Sequence, residues 1–170
     1  YDQRHGYRGP EAFLDLPEEG NEQDEAIDRI LARHPSSDNL ISAVVTEVSA
    51  KGVRAEPASG DTLEIKGDGL RFAARALQPN AGLNLRIRVG SVIRVSQDGK
   101  GRWAISQMPE VDAAFVALNA DDGAYRALVG GFDFSRNQFN HVTSAWRQPG
   151  SSIKPFVYSA ALEKGFSPAT

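Results

Sequence analysis

The chain has 170 residues, 41% of them hydrophobic, with 19 Lys and Arg against 22 Asp and Glu for a net charge of −3. That length suits one or two small domains with real cores, and the charge argues against a general polyanion binder. The absence of cysteine excludes a disulfide framework and a thiolate metal site, no apolar run approaches the ~20 residues of a membrane helix, and no basic-then-apolar leader opens the chain.

Residues 1–39 are polar and punctuated by Gly6, Gly9, Pro10, Pro17 and Gly20, the pattern of a linker with one short helix. Asn21 is the expected cap, Asp24 and Glu25 suit the first turn, and Ile27, Ile30 and Leu31 make a narrow apolar stripe. Arg33 and His34 favour the helix end, and Pro35 follows. His5 and His34 have no partner cluster in the sequence and read as solvated linker histidines rather than ligands or bases.

Between residues 40 and 108 the pattern changes to short strands. Leu40 to Val48 is apolar-rich, and Val53 to Glu56 and Leu63 to Ile65 flank the turn residues Pro57-Ala58-Ser59-Gly60. Leu85, Ile87 and Val89 alternate with Asn84, Arg86 and Arg88, which predicts a further strand. Val92, Ile93 and Val95, then Trp103 and Ile105, surround a turn at Asp98-Gly99-Lys100-Gly101. A helical interlude is expected from Leu70 to Leu77. Five or so strands with one helix suggest a small closed barrel of the OB type, because closure removes exposed edges.

Such a barrel admits a binding role. The segment is locally basic, with Lys51, Arg54, Lys66, Arg71, Arg75, Arg86, Arg88, Arg94, Lys100 and Arg102. Single-stranded nucleic acid also needs aromatic stacking platforms, and only Phe72 and Trp103 are available; both read as core. Nucleic acid is therefore disfavoured, and a docking surface for protein regulators or anionic glycan is the other binding reading.

Residues 109–170 carry a different pattern. Val111 to Asn119 is a near-continuous apolar strand and Tyr125 to Val129 a second, joined at Ala120-Asp121-Asp122-Gly123, which predicts a hairpin. Asp121 and Asp122, beside Gly123, are turn residues rather than a metal or acid/base pair. Arg136, Asn137 and Gln138 read as surface polar residues, and Trp146 as a packing anchor in preference to a substrate-side wall.

The chemistry is concentrated in Arg147-Gln148-Pro149-Gly150-Ser151-Ser152-Ile153-Lys154-Pro155-Phe156. Pro149-Gly150 breaks the preceding structure. Ile153, Phe156, Val157, Ala160 and Ala161 then recur at helical spacing, with Gly165 as a stop. On such a helix Ser151 and Lys154 share a face. A serine hydroxyl is a poor nucleophile until something takes its proton, and a desolvated lysine can do so. The helix N-terminus favours negative charge developing beside it. Spacing alone leaves a second reading open, an N-cap serine followed by a solvated lysine.

Ala145 to Leu162, with Val129-Gly130-Gly131-Phe132-Asp133-Phe134 upstream and Arg4-His5-Gly6-Tyr7-Arg8-Gly9-Pro10 near the start, resembles the bifunctional class A penicillin-binding proteins of Gram-negative bacteria. The resemblance runs along the whole chain. It implies a mainly β fold with α, an OB-like small β-barrel followed by the first hairpin and nucleophile helix of a serine transpeptidase α+β domain. The implied division is a linker over residues 1–39, the OB-like domain over 40–108, and the incomplete start of the transpeptidase domain over 109–170.

The resemblance further implies a D,D-transpeptidase that cross-links peptidoglycan stem peptides and is acylated by β-lactams. Ser151 would be the nucleophile and Lys154 the group accepting its proton. The Ser151 backbone N–H is the expected first oxyanion donor, with the second outside this chain. A D,D-carboxypeptidase or β-lactamase-like hydrolase remains the alternative enzyme, differing in whether water or an amine resolves the acyl-enzyme. No cofactor or metal is implied. The implied partners are stem peptides, β-lactam antibiotics and lipoprotein or cell-wall regulators at the OB-like domain. The implied location is the periplasmic side of the inner membrane, with the anchor and a glycosyltransferase domain before Tyr1.

In the resembling enzymes a Ser-x-Asn and a Lys-Thr/Ser-Gly motif follow the nucleophile. No Lys-Thr-Gly or Lys-Ser-Gly occurs here, and Ser37-Asp38-Asn39 precedes Ser151 by more than a hundred residues, among ordinary turn residues. The chain is thus expected to be a fragment of a larger enzyme, inactive alone, with the barrel as its most self-sufficient part.

Overall fold

Apolar alternation on both faces of two strands organises the first of two units, residues 1–112, in the computed structural model, which describes residues 1–18, 20–49 and 51–169. Its elements are α1 (Asp2–His5), β1 (Ala12–Phe13), α2 (Asn21–Leu31), β2 (Ile41–Val48), β3 (Gly52–Pro57), β4 (Leu63–Lys66), a 3-10 segment (Gly67–Ala73), β5 (Ser91–Gln97) and β6 (Trp103–Ser106). The antiparallel sheet runs β1-β5-β2-β3-β4, and β6 pairs with the second half of β5.

Register explains why β2 reads as an unbroken apolar run. Ala43 pairs with Ile93 and Val44 with Val92, so successive residues point to opposite faces. Ala43, Val45, Ile93 and Val95 point into the barrel with Val53, Ala55, Ile65 and Ile105. Val44 and Val92 point the other way, beneath Ile27 and Leu31 of α2. Each of the valine, isoleucine and leucine side chains among these contributes about 1.5–3 kcal/mol on burial, so a strand covered on both faces is doubly anchored. β4 and β6 approach each other with the 3-10 segment packed against both, closing the small OB-like barrel. Gly69 makes that closure feasible: a Cβ there would run into the Trp103 carbonyl.

Residues 1–39 contribute directly to this unit. β1 pairs Ala12 with Val92 and Phe13 with Ser91, and α2 covers the back of the sheet. Gly90 permits the β1 approach, since its φ is 83° and a Cβ would overlap the Leu14 carbonyl.

Several local expectations are corrected. The alternating segment Leu85 to Val89 is not a strand: the Ile87 N–H donates to the Ala76 carbonyl at 2.8 Å, so its hydrogen bonding goes to the interlude before it. Ile87 is buried all the same. The interlude itself is the 3-10 segment followed by turns through Leu77. Asn21 is the first helical residue of α2; the cap position belongs to Gly20.

His34 is no free linker side chain either. Its Nδ1 donates to Glu11 at 3.1 Å, and the same carboxylate accepts two hydrogen bonds from Arg94, from Nε and from an Nη, each at 2.8 Å. Arg94 is 5% exposed and also donates to the Pro35 carbonyl at 2.7 Å. Burial works against the Glu11 carboxylate, but the hydrogen bonds and charges of Arg94 and His34 win, and its pKa lies below the usual carboxylate value. This node joins the start of β1, the exit of α2 and the middle of the sheet.

The second unit, residues 113–170, contains β7 (Phe115–Leu118), β8 (Tyr125–Val129), a 3-10 turn (Gly150–Ile153) and α3 (Lys154–Glu163). β7 and β8 form the expected antiparallel hairpin, with Phe115 opposite Val129. The first strand is shorter than the apolar run from Val111, because residues 111–114 make no ladder.

Candidate active site

The segment entering the nucleophile region is folded by consecutive turns. Gly130 follows β8, and its carbonyl accepts both the backbone N–H and the ring Nδ1–H of His141, each at 2.8 Å. The Asn140 side-chain oxygen accepts the N–H of Val142 at 2.9 Å and of Thr143 at 3.3 Å. Ser144 donates to the Asn140 carbonyl at 2.7 Å, and Trp146 to the Ser144 carbonyl at 3.0 Å. Asn140 and His141 were not among the residues singled out from sequence; the signal available was an Asn able to form its own turn, ten residues after Gly130 begins an irregular stretch.

The break at Pro149-Gly150 is where expected, and Gly150 has φ 52°. Its local form differs from the expected single helix. Ser151 sits in the 3-10 turn and Lys154 is the first residue of α3, with Pro155 in the opening turn where a missing N–H costs nothing. The Lys154 N–H donates to the Ser151 carbonyl, the i to i+3 bond of that turn. At three residues per turn, side chains three apart eclipse, so Ser151 and Lys154 share one face while Ser152 is rotated away. The Ser152 N–H is used by the Pro149 carbonyl at 3.0 Å, whereas the Ser151 N–H lies among those a helix start leaves without an intrahelical partner. α3 ends near Gly165, whose φ is 89°, with the Phe166 N–H closing back on the Ala161 carbonyl at 3.1 Å.

Ser151 and Lys154 are both exposed, and among the described residues neither side chain has a hydrogen-bond or ion-pair partner. Trp146, expected as a packing anchor, is 94% exposed. The remaining candidates fall elsewhere. The Ala124 N–H donates to Asp122, and Gly123 has φ 72°, so Asp121 and Asp122 form the hairpin turn. Ser37-Asp38-Asn39 is a tight turn closed by Ser37 and Leu40, with Asp38 at φ 48°. His5 stacks on Tyr1. Trp103 packs against the barrel core and Phe72 lies edge-on to Tyr7. Asp24, Asp28 and Glu56 gather between α2 and β3; burial and then the two aspartates raise the Glu56 pKa. No group of three or more His, Cys, Asp or Glu suited to a metal ion occurs among the described residues, nor does a helix long and apolar enough to cross a membrane.

Two family models match successive parts of the chain: the penicillin-binding protein OB-like domain over residues 7–111 and the penicillin-binding protein transpeptidase domain over residues 113–170. This chain belongs to the penicillin-binding protein family and corresponds to the OB-like domain and the start of the transpeptidase domain of its 1A-type members. Penicillin-binding protein 1A of Neisseria cinerea is 43% identical over 171 residues, and that of Escherichia coli K12 is 38% identical over 177. Each alignment covers 100% of this chain and 21% of the relative, so the chain spans about a fifth of their length. The crystal structure of penicillin-binding protein 1A from Haemophilus influenzae superposes with a TM-score of 0.75 at 37% identity, covering 98% of this chain and 24% of that one.

Proposed function

We propose that this chain carries the nucleophile of a peptidoglycan D,D-transpeptidase, with Ser151 as the acylated residue and Lys154 as its base. The observation that supports this most is the 3-10 turn that puts Ser151 and Lys154 on one face, within a segment matched to the transpeptidase domain. Ser151 Oγ attacks the carbonyl of the penultimate D-Ala of a stem peptide as Lys154 Nζ takes the hydroxyl proton. The terminal D-Ala leaves as the amine, protonated from the site, and the acyl group stays on Ser151. The amine of a second stem peptide then attacks the ester, forming the cross-link and returning the proton to Oγ. A β-lactam opens on the same serine and leaves a stable ester. The Ser151 backbone N–H is suited to stabilise the oxyanion as one of two donors.

On this reading the whole protein also bears a glycosyltransferase domain and a membrane anchor ahead of these residues, works on the periplasmic side of the inner membrane, and uses residues 40–108 as a barrel between its two catalytic parts. The proposal is tested on the full-length protein with a labelled penicillin and mass mapping of the adduct. Label is expected on Ser151, lost in Ser151→Ala and retained in Ser152→Ala. Lys154→Ala is expected to slow acylation by about 100-fold or more while the protein stays folded. An adduct on Ser152 would overturn the assignment.

A further inference from the structure

Ser151 is exposed among the described residues, and the chain that leads into it from β8 is folded by its own hydrogen bonds. That chain is tied down at one point. The Gly130 carbonyl, just past β8, receives two hydrogen bonds from one residue, His141, through its backbone and its ring. The ring is also held edge-on to Phe139, at 4.9 Å between centroids. Beside it, Asn140 closes its own turn through its side-chain oxygen onto Val142 and Thr143. The two anchors interlock: a Cβ on Gly130 would come within 2.6 Å of the Asn140 side-chain carbon, so any other residue there would displace the Asn140 side chain.

From this knot the turns continue through Ser144 to Trp146, and the next begins at Pro149, whose carbonyl accepts the Ser152 N–H. Only Arg147 and Gln148 lie between. The three peptide steps from Trp146 to Pro149 span at most about 11 Å, so the connection between the knot and the Ser151 turn is short. A nucleophile misplaced by about 1 Å loses roughly 100-fold in rate.

We propose that Asn140 and His141 are positioning residues that fix the Ser151 turn relative to the end of β8; this rests on Ser151 being the acylated serine. The test uses saturation kinetics of labelled-penicillin acylation in the full-length protein, separating maximal rate from half-saturating concentration, together with thermal midpoints. His141→Asn keeps an N–H donor one bond beyond Cγ, where Nδ1 stands. His141→Phe keeps the ring and its contact with Phe139 but has no donor.

His141→Phe is expected to lower the maximal acylation rate at least about tenfold, with half-saturation within about threefold. His141→Asn is expected to stay within about threefold of the parent rate, and the two variants to share a thermal midpoint within about 2 °C. Asn140→Asp, which keeps the acceptor, and Asn140→Leu, which removes it, repeat the contrast through the second anchor and decide the question if His141→Phe does not fold. Parent-like acylation by His141→Phe, or equal losses in His141→Asn and His141→Phe, overturns the positioning role. With Ser151→Ala unlabelled in the same experiment, the nucleophile assignment would survive that result; label persisting in Ser151→Ala would sink the assignment itself.

Discussion

The two units use similar sequence signals to different ends. In residues 1–112, the alternating apolar residues of β2 and β5 are covered on one face by the barrel interior and on the other by α2. In residues 113–169 none of the described residues is fully buried, and Phe115, Tyr125, Phe156 and Val157 remain exposed. Hydrogen bonding nonetheless forms a ladder in both: β3 and β4 pair over four consecutive positions, and β7 and β8 pair over four with one register shift between Ala117 and Leu118. A periodic sequence therefore suffices to specify an element, whereas burying its apolar face requires surfaces contributed by other segments.

The sharpest test of this contrast is cavity formation in the barrel. Ile93→Ala is expected to destabilise the first unit by about 3–4 kcal/mol, since Ile93 is buried and surrounded. Urea unfolding followed by Trp103 fluorescence, in a Trp146→Phe background, reads this out. A cost below about 1 kcal/mol would mean the barrel is not the tightly packed unit described here.

Next in size is the polar node that ties the N-terminal segment to the sheet. Glu11→Gln leaves the Arg94 guanidinium buried with only the Pro35 carbonyl and a neutral amide, at a cost of about 2–3 kcal/mol near pH 7, reduced because Glu11 is partly exposed. The folded-state pKa of Glu11 is lowered, so its contribution is complete above the ordinary carboxylate pKa and is lost as pH falls through the lowered folded value. Denaturant midpoints of parent and variant should therefore converge as pH falls below the ordinary carboxylate range. A gap that stays constant across that range would remove the ion pair from the account.

The smallest effect is expected in the second unit. Phe115 is 60% exposed, and in the 170-residue chain Phe115→Ala should alter stability by no more than about 0.5 kcal/mol, with amides of β7 and β8 exchanging faster than those of β2 and β5. A larger cost, or stronger protection in the hairpin, would erase the distinction between the units.

Much of the molecule was legible from residue order. The strands around Ala43, Val53, Leu63, Val92 and Trp103, the hairpin turn at Asp122-Gly123, the break at Pro149-Gly150 and the stop at Gly165 each follow from local patterning or from a glycine that permits positive φ. The eclipsing of Ser151 and Lys154 follows from their separation once the chain turns there. Tertiary structure decided the rest. Leu85 to Val89 alternates like a strand, yet the free hydrogen-bonding partner within reach was the Ala76 carbonyl rather than a sheet edge. His34 looked solvated because its partner Glu11 lies 23 residues earlier and Arg94 lies 83 residues beyond Glu11, separations that carry no local signal. The hold of His141 on Gly130 is hidden for the same reason. Periodicity records which face of an element is apolar; which groups meet across the fold depends on chain segments whose encounter only folding brings about.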